Sequence, residues 1–201
     1  MIPTTVVLAS SNAGKLREIN QMLAELHLEV VPQSRFGVPD AEETGSSFIE
    51  NAMLKARNAA RHAKHPAIAD DSGIEVDFLN GAPGIYSARY AGQGASDQEN
   101  LNKLLDAMKA APSDKRGARF RCAMVFVRDE RDAAPIVVQT AWEGRVLDTP
   151  RGTNGFGYDP IFLVPTHGCS SAELTPEIKN RLSHRGQALR ALVEAIRHAY
   201  R

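Results

Sequence analysis

Residues Ala67 to Gly73 read Ala-Ile-Ala-Asp-Asp-Ser-Gly and place a short apolar strand directly before two adjacent carboxylates. We expect this strand to end at Asp70 and Asp71, because the Ser72 hydroxyl and the small Gly73 that follow favour a turn. Successive side chains of a strand point to opposite faces. One aspartate, which we take to be Asp71, would therefore face a ligand as a metal ligand or a base, while Asp70 braces the turn or holds a water. A solvated turn capped by Asp70 is the alternative.

Strands and helices alternate on either side of this stretch. Short apolar or alternating runs predict strands over residues 4–9, 28–31, 74–79, 119–126, 136–142 and 161–164. Capping signals predict helices that begin after Ser10-Ser11-Asn12, at Ser47 with Glu50, at Ser96 with Glu99 and at Thr175-Pro176, before a last helix over residues 188–196. Residues 119–142 look like an antiparallel hairpin set into this order. The pattern favours an α/β fold around a mixed sheet.

Length and composition limit the class of protein. The chain has 201 residues, of which 43% are hydrophobic, and this is ample for one large domain or two lobes that share a core. Its formal net charge is +0, whereas a nucleic-acid surface normally needs a basic excess, so we expect no nucleic-acid partner. Cys122 and Cys169 lie far apart in the sequence and read as reduced thiols. Because the start lacks a signal peptide or a membrane-spanning run, we expect a soluble cytoplasmic protein with no membrane partner.

The first strand-to-helix turn is a candidate site for an anion. The stretch from Ser10 to Lys15 puts backbone N–H groups and an ammonium group at the start of a helix. It is not a Walker A loop, because Leu16 follows the lysine where Ser or Thr would be required. An ordinary capped turn with a solvated lysine is the alternative. Further along, Glu42 and Glu43 could complete a metal site, although a flexible acidic loop explains them equally well.

Residues 152–159 are rich in glycine and in aromatic side chains. The glycines let the backbone approach a ligand closely and present Phe156 or Tyr158 as a flat surface on which a nucleobase would stack. A tight loop with an aromatic plug explains the same pattern. Nearer the C-terminus, one helix start offers several hydrogen-bond donors to an acceptor-rich ligand: Lys179, Ser183, His184 and Arg185. Together with the carboxylates, these groups suggest an enzyme that acts on a nucleoside phosphate.

Several short motifs follow one another along the chain: Ser10-Ser11-Asn12-Ala13-Gly14-Lys15, Glu42-Glu43-Thr44-Gly45, Glu50-Asn51-Ala52, Lys55-Ala56, Ala69-Asp70-Asp71-Ser72-Gly73, residues 81–90, Gly155-Phe156-Gly157-Tyr158-Asp159-Pro160 and Ser183-His184-Arg185-Gly186. In these motifs the chain resembles the inosine triphosphate pyrophosphatases almost from end to end. So many ordered motifs are far more specific than any one of them. Two departures stand out: the family often has Thr-Gly-Asn in place of Ser10-Ser11-Asn12, and Gly-Gly in place of Asn154-Gly155.

The resemblance implies an activity, a cofactor and an assembly. Enzymes of this family clear aberrant purine nucleoside triphosphates such as ITP, dITP, XTP and dXTP. We therefore expect Mg²⁺-dependent hydrolysis to the monophosphate and pyrophosphate, carried out by a homodimer. The implied architecture is an elongated mixed sheet with flanking helices, which form two lobes around a central cleft within a single domain of residues 1–201.

The resemblance also implies roles for particular residues. Asp71 would be the general base near the metal. Glu42 and Glu43, which are candidates from their residue type and not from the resemblance, would complete the metal site, and the sequence does not decide between them. The triphosphate would be held by Ser10, Ser11, Asn12, Ala13, Gly14, Lys15, Lys55 and Ser72. The purine base would be held by Phe156, Gly157, Tyr158, Asp159, Lys179, His184 and Arg185.

Hydrogen-bonding chemistry explains how such a site would choose its base. Hypoxanthine and xanthine carry a 6-keto acceptor, whereas adenine carries a 6-amino donor, and Lys179 and Arg185 can only donate. These two residues would therefore accept the keto bases and leave adenine mispaired. Guanine also has a 6-keto group, and no sequence feature that rejects it is evident. Three alternatives stay open: a pyrophosphatase for modified pyrimidine nucleotides, a nucleotide sensor without catalysis, and a nucleic-acid-binding module.

Overall fold

Strands and helices alternate along the chain, as the sequence predicts. The structure is a computed structural model that describes residues 5–23 and 29–200, with side chains described for residues 5–20 and 29–200. Within these residues the chain forms seven strands: β1 (Thr5–Leu8), β2 (Glu29–Pro32), β3 (Ala67–Val76), β4 (Gly117–Val127), β5 (Ile136–Val146), β6 (Phe162–Val164) and β7 (Cys169–Ser170). The helices of the same residues are α1 (Ala13–Leu23), α2 (Phe48–Ala63), α3 (Asp97–Ala107), α4 (Pro176–Leu182) and α5 (His184–Ala199). Thr4 and Leu28, which were expected in the first two strands, lie outside the described residues.

The strands form a mixed sheet in the order β2-β1-β3-β4-β5-β6-β7. β1 pairs in parallel with β2 and with β3, whereas β6 pairs antiparallel with β5 and β7. The parallel pairs follow from helical crossovers, because α1 lies between β1 and β2 in the chain and α2 lies between β2 and β3. β4 and β5 are neighbours joined only by residues 128–135, a link too short for a parallel crossover. They therefore form the predicted hairpin, and the α/β fold with a mixed sheet is confirmed.

Local capping chemistry sets where two of the helices begin. α3 starts with the predicted capping box, in which Ser96 accepts the Glu99 N–H and the Glu99 carboxylate accepts the Ser96 N–H. The capping box predicted at α2 is only half formed. The Ser47 side chain accepts the Glu50 N–H at 3.2 Å, but the Glu50 carboxylate accepts the N–H of Ser46 at 2.7 Å. The Glu50 carboxylate therefore bonds to the N–H one residue before the one that the predicted capping box requires.

The strand that carries the two aspartates does not end at them, so the predicted turn is wrong. β3 is continuous from Ala67 to Val76, and Asp70 and Asp71 lie in its middle. The strand predicted over residues 74–79 is the last part of β3, followed by a 3₁₀ turn at Asp77–Leu79. Buried carboxylates are tolerated in a strand only when they are paired. The pairing cations come from helices that are distant in sequence: Lys15 of α1, Lys55 of α2 and Arg185 of α5.

The chain divides into two compact units, each with its own core. Unit 1 comprises Met1–Asp71, Cys122–Thr140 and Arg185–Arg201, and unit 2 comprises Ser72–Arg121 and Ala141–His184. The core of unit 1 includes Leu8, Ile68, Phe126 and Leu192. The core of unit 2 includes Ile74, Leu104, Trp142 and Phe162. Among the helices of the described residues, none combines the length and the apolar character that crossing a membrane requires.

Candidate active site

Asp70 and Asp71 contact different cations, as expected for successive positions of a strand. In unit 1, Lys15 Nζ lies 3.0 Å from Asp70 Oδ2, and Lys55 Nζ lies 2.9 Å from Asp71 Oδ1. The two aspartates therefore organise two groups of side chains. We call Asp71, Lys55, Glu43 and Asn51 the Asp71 cluster, and Asp70, Lys15, Arg185 and Glu18 the Asp70 cluster.

The Asp71 cluster is built on one face of α2. Asn51 and Lys55 are four residues apart, so they lie one turn from each other on the same side of the helix. Asn51 Nδ2 donates to Asp71 Oδ2 at 3.3 Å, and Asn51 Oδ1 accepts the Gly45 N–H at 2.8 Å. Asn51 thereby ties the acidic loop before α2 to the same carboxylate. Because Asp71 and Lys55 are both held by regular secondary structure, their contact is preorganised.

Burial sets the protonation chemistry of this cluster. Burial raises the pKa of the Asp71 carboxyl, and the nearby Lys55 ammonium opposes that shift. Burial alone would lower the pKa of Lys55, but the carboxylates of Asp71, Asp70 and Glu43 outweigh it and raise the pKa. Lys55 therefore stays charged. Asp71 is a stronger base than an exposed aspartate, because its carboxylate binds a proton more readily.

Asp70 has the opposite character. Its side chain has no exposed surface, and Arg185 contacts it through Nε at 3.4 Å while another nitrogen of the same guanidinium contacts Glu18. Burial works against the charged form of Asp70, but Lys15 and Arg185 outweigh burial and lower the pKa of this carboxyl well below its usual range. Asp70 therefore stays ionised and anchors Lys15.

The predicted anion-binding turn leads directly into this anchored lysine. Asn12 caps α1, because its Oδ1 accepts the Lys15 N–H at 3.0 Å. Ser10 Oγ in turn accepts the Asn12 N–H at 3.3 Å. Ser11, Asn12 and Ala13 are exposed, and Gly14 is buried. The backbone at this helix start is thus fixed by its own side chains while its outer residues face solvent.

The carboxylates of the Asp71 cluster suit a hard divalent cation. Asp71 Oδ1 and Glu43 Oε1 converge on the same Lys55 Nζ, each at 2.9 Å, whereas Glu42 is exposed. Within the described residues, no group of three or more His, Cys, Asp or Glu side chains could hold a metal by itself. Mg²⁺ is usually bound through one or two carboxylates with water and substrate phosphates completing its shell. Asp71 and Glu43 could supply the two carboxylate ligands of such a site.

In unit 2 another buried aspartate, Asp159, gathers several donors. Asp159 Oδ2 accepts from Lys179 Nζ at 2.6 Å and from the Phe156 N–H at 2.9 Å. Asp159 Oδ1 accepts from the Ser171 hydroxyl at 2.8 Å. Lys179 Nζ also lies 5.0 Å from the centroid of the Phe156 ring, within the range of a cation–π contact. We call Asp159, Lys179, Phe156 and Ser171 the Asp159 cluster.

Gly155 is required for this cluster to close. Its φ of +77° is in the left-handed region, and an added Cβ would lie 2.1 Å from Asp159 Oδ2 and 3.1 Å from Lys179 Nζ. The next residue but one, Gly157, donates its N–H to Asp97 Oδ2 at 2.9 Å. The loop therefore approaches the aspartate as closely as a backbone without a side chain allows.

The remaining predicted base-binding residues are placed differently from one another. Tyr158 is buried, and its hydroxyl donates to the Ser87 carbonyl at 2.7 Å, so the half-buried Phe156 is the loop ring that retains exposed surface. His184 is buried in unit 2 and stacks on Phe120 with ring centroids 4.8 Å apart. Arg185, the next residue, belongs to unit 1 and to the Asp70 cluster. Ser72 is half-buried on β3.

Three of the residues that build these clusters were not among the predicted site residues. Asn51 could have been found, because it shares a helical face with Lys55. Glu18 lies three residues after Lys15 on α1, a spacing that puts both side chains on one side of the helix. Ser171 carries no sequence signal, because its contact to Asp159 spans twelve positions of the chain, across β6 and β7.

The fold and these clusters define an α/β protein in which each unit holds a buried aspartate paired with a lysine. The chain belongs to the Ham1 family, which it matches over residues 6–195. A protein of Methylococcus capsulatus named dITP/XTP pyrophosphatase is 57% identical over 192 residues, which are 96% of each chain. A Vibrio cholerae protein of the same name is 59% identical over 191 residues, or 95% of this chain and 96% of that one.

Solved structures show the same fold. A HAM1 protein from Coxiella burnetii is 49% identical, with a TM-score of 0.89 over 96% of this chain and 98% of that one. A nucleoside-triphosphatase / dITP/XTP pyrophosphatase from Mycobacterium abscessus is 41% identical, with a TM-score of 0.73 over 94% of this chain and 98% of that one. The similarity therefore extends over nearly the whole of each protein.

Proposed function

We propose that this protein hydrolyses aberrant purine nucleoside triphosphates, ITP, dITP, XTP and dXTP, to the monophosphate and pyrophosphate. Its membership of the Ham1 family and the names of its close relatives support this class of reaction. The observation that carries the proposal is the Asp71 cluster, in which a buried carboxylate with a raised pKa faces a charged lysine and a second carboxylate. Removal of deaminated purines from the nucleotide pool is the corresponding role.

Asp71 is the general base of this proposal. A water oxygen forms a bond to the α-phosphorus while its proton passes to an Asp71 carboxylate oxygen. The bond between the α-phosphorus and the oxygen bridging to the β-phosphate breaks, and pyrophosphate leaves with that electron pair. Burial raises the pKa of the Asp71 carboxyl when no metal is bound, and a carboxylate oxygen that does not bind the metal would accept the proton. Lys55 and Lys15 offset the negative charge that develops on the phosphate oxygens. The capped start of α1 and Ser72 hold further phosphate oxygens.

Asp71 and Glu43 would hold Mg²⁺ in this proposal. When bound, Mg²⁺ would supply positive charge to the phosphate oxygens. We assign the second ligand to Glu43 and not to Glu42, because Glu43 shares a cation with Asp71 while Glu42 is exposed. Lys55, which is charged and lies beside both carboxylates, would bind a phosphate oxygen.

The Asp159 cluster and its neighbours would recognise the base. Lys179 can only donate, so it favours the 6-keto oxygen of hypoxanthine or xanthine over the 6-amino group of adenine. Phe156 offers a ring on which the purine would stack. Because Arg185 contacts Asp70 and Glu18, we assign the 6-keto contact to Lys179. Gly157, Tyr158 and Asp159 shape the loop around that donor. His184, whose ring stacks on Phe120, stays a candidate for a further contact to the base.

A homodimer that works in the cytoplasm completes the proposal. It rests on the resemblance to the inosine triphosphate pyrophosphatases. The formal net charge of +0 gives no basic excess with which to attract nucleic acid. The substrate is therefore taken to be a free nucleotide.

Release of pyrophosphate and of inorganic phosphate from ITP, XTP, GTP, ATP and dUTP, with and without Mg²⁺, tests the proposal directly. We expect pyrophosphate from ITP and XTP only when the metal is present, and at least 10²-fold lower efficiency on ATP. Binding of ITP without any product would indicate a nucleotide sensor. A preference for dUTP over ITP would indicate a pyrimidine enzyme and reject the assignment of Lys179.

A further inference from the structure

The Asp159 carboxylate is held from both of its oxygens, and the two sides are held differently. On Oδ2 it meets the Lys179 ammonium at 2.6 Å and the Phe156 N–H at 2.9 Å. On Oδ1 it meets a hydroxyl, that of Ser171, at 2.8 Å. Asp159 and Ser171 are both buried, with 3% and 0% of their surface exposed. The hydroxyl is therefore shielded from water and directed at the carboxylate.

A donor on the second oxygen decides how the carboxylate is oriented. Rotation about the Cβ–Cγ bond of an aspartate has only a broad, roughly two-fold preference. Hydrogen bonds to one carboxylate oxygen therefore leave the plane of the carboxylate free to turn about that oxygen. A further donor on the other oxygen fixes the plane. Once the plane is fixed, Oδ2 has a defined direction, and so has the ammonium bonded to it.

Ser171 is itself attached to a rigid segment. It opens a 3₁₀ turn, Ser171–Glu173, whose start carries a capping box between Ser170 and Glu173. The loop before Asp159 is bonded to the same segment, because Asn154 N donates to the Ala172 carbonyl at 3.0 Å and Asn154 Nδ2 donates to the Leu174 carbonyl at 3.0 Å. The hydroxyl thus sits on backbone that is already bound to the loop it helps to organise.

The geometry points to Ser171 as a positioning residue for base selection, which fixes the plane of Asp159 and through it the direction of the Lys179 ammonium. This inference rests on the proposed function, in which Lys179 reads the 6-keto group. It assigns Ser171 no contact with substrate. Its removal affects the discrimination between keto and amino purines and leaves the cleavage chemistry at Asp71 in place.

Ser171→Ala tests this role by kinetics. We expect kcat/KM on ITP to fall about tenfold, mostly through KM, while the low efficiency on ATP changes less than twofold. Ser171→Thr keeps the hydroxyl and is expected to restore most of the preference for ITP. Ser87→Ala is the matched control, because Ser87 is also a buried serine of unit 2 and its hydroxyl donates to the Gly84 carbonyl at 2.6 Å, outside the turn that carries Ser171. It should lower the melting temperature and leave the ITP/ATP ratio within twofold of wild type. Equal losses on ITP and ATP in S171A, or no loss, would overturn the inference.

Crystal structures of the wild type and of S171A test the positioning without reference to any substrate. We expect the Asp159 carboxylate to rotate or to occupy two orientations in the variant, with the Lys179 ammonium displaced from its place. An Asp159–Lys179 pair unchanged in plane and distance would overturn the inference. If the wild type hydrolyses none of the nucleotides, the proposed function fails, and the structural comparison still decides the role of Ser171.

Discussion

The Asp71 and Asp159 clusters are both built on a buried aspartate paired with a lysine, but they differ in charge and in the way the aspartate is held. At Asp71 one ammonium, that of Lys55, serves two carboxylates, so the cluster carries excess negative charge. At Asp159 one ammonium faces one carboxylate, and a backbone N–H and a hydroxyl bind the same group. An excess of carboxylate favours binding of a further cation or of a proton. A balanced, fully held pair is suited to present a donor in a fixed direction.

The largest effect is expected from removing the charge at Asp71. Asp71→Asn should lower kcat on ITP by about 10³-fold while ITP binding persists, because an amide cannot accept the proton of the attacking water. Steady-state kinetics and calorimetric binding measure the two quantities. Asp77→Asn serves as the matched control, because Asp77 pairs with Arg119 beyond the end of β3 and should leave kcat within twofold. Turnover by D71N near that of the wild type would reject Asp71 as the base.

Lys179→Ala should separate the two clusters most clearly. We expect kcat/KM on ITP to fall about 10²-fold and the low rate on ATP to stay nearly unchanged, because only the keto purine loses a donor. Lys103→Ala is a matched control, since Lys103 Nζ also lies over an aromatic ring in unit 2, 4.8 Å from the Tyr90 centroid. Losses of equal size on ITP and ATP in K179A would mean that Lys179 serves the phosphates or the fold.

The assignment of Glu43 as a metal ligand predicts an effect of intermediate size on Mg²⁺ dependence, and two neighbouring residues allow a matched comparison. Glu43→Gln should raise the Mg²⁺ concentration needed for half-maximal activity about tenfold, because one of two converging carboxylates is lost. Glu42→Gln, one residue away and exposed, should change it less than twofold. Magnesium titrations of ITP hydrolysis measure both. The opposite ranking of the two variants would place the second carboxylate ligand at Glu42.

Local rules predicted much of this molecule, and long-range contacts account for the rest. The cap at Ser96 and the alternation of Asp70 and Asp71 depend on neighbours in sequence, and both predictions agree with the structure. The strand end at Asp70 was wrong, because Asp-Asp-Ser-Gly is turn chemistry only while its charges lack cations. Those cations come from residues 55, 16 and 115 positions away along the chain: Lys15, Lys55 and Arg185. No local pattern contains that information.

The same distinction applies to the candidate site residues. The resemblance implied that both Lys179 and Arg185 donate to the base. The structure places Lys179 on Asp159 and Arg185 on Asp70, in different units. A motif identifies which residues matter, but the partner of each side chain is set by packing between segments that are far apart in the sequence. The two cations have different partners for that reason.

Substitutions of Gly155 and Gly157, in the loop of the Asp159 cluster, are expected to change activity least. They should differ from each other in their effect on stability. Gly155→Ala adds a Cβ that would lie 2.1 Å from Asp159 Oδ2, so either the loop or the Asp159–Lys179 pair must shift. Gly157→Ala faces no atom within 4 Å and suffers only the strain of its φ of +59°. We expect G157A to lower the free energy of unfolding by about 1–2 kcal/mol and G155A by about 3 kcal/mol, because only G155A adds a steric clash to the left-handed backbone. Urea denaturation measures both.

Activity then sharpens the comparison between these two glycines. G155A should lose a fewfold of its preference for ITP over ATP, because the clash falls on the Asp159 carboxylate and 3.1 Å from the Lys179 ammonium. G157A should retain its preference, because its strain does not reach either group. Equal stability and equal preference in the two variants would mean that the loop moves without disturbing Asp159. The close approach of the loop would then affect only the backbone conformation and not the position of Asp159 or Lys179.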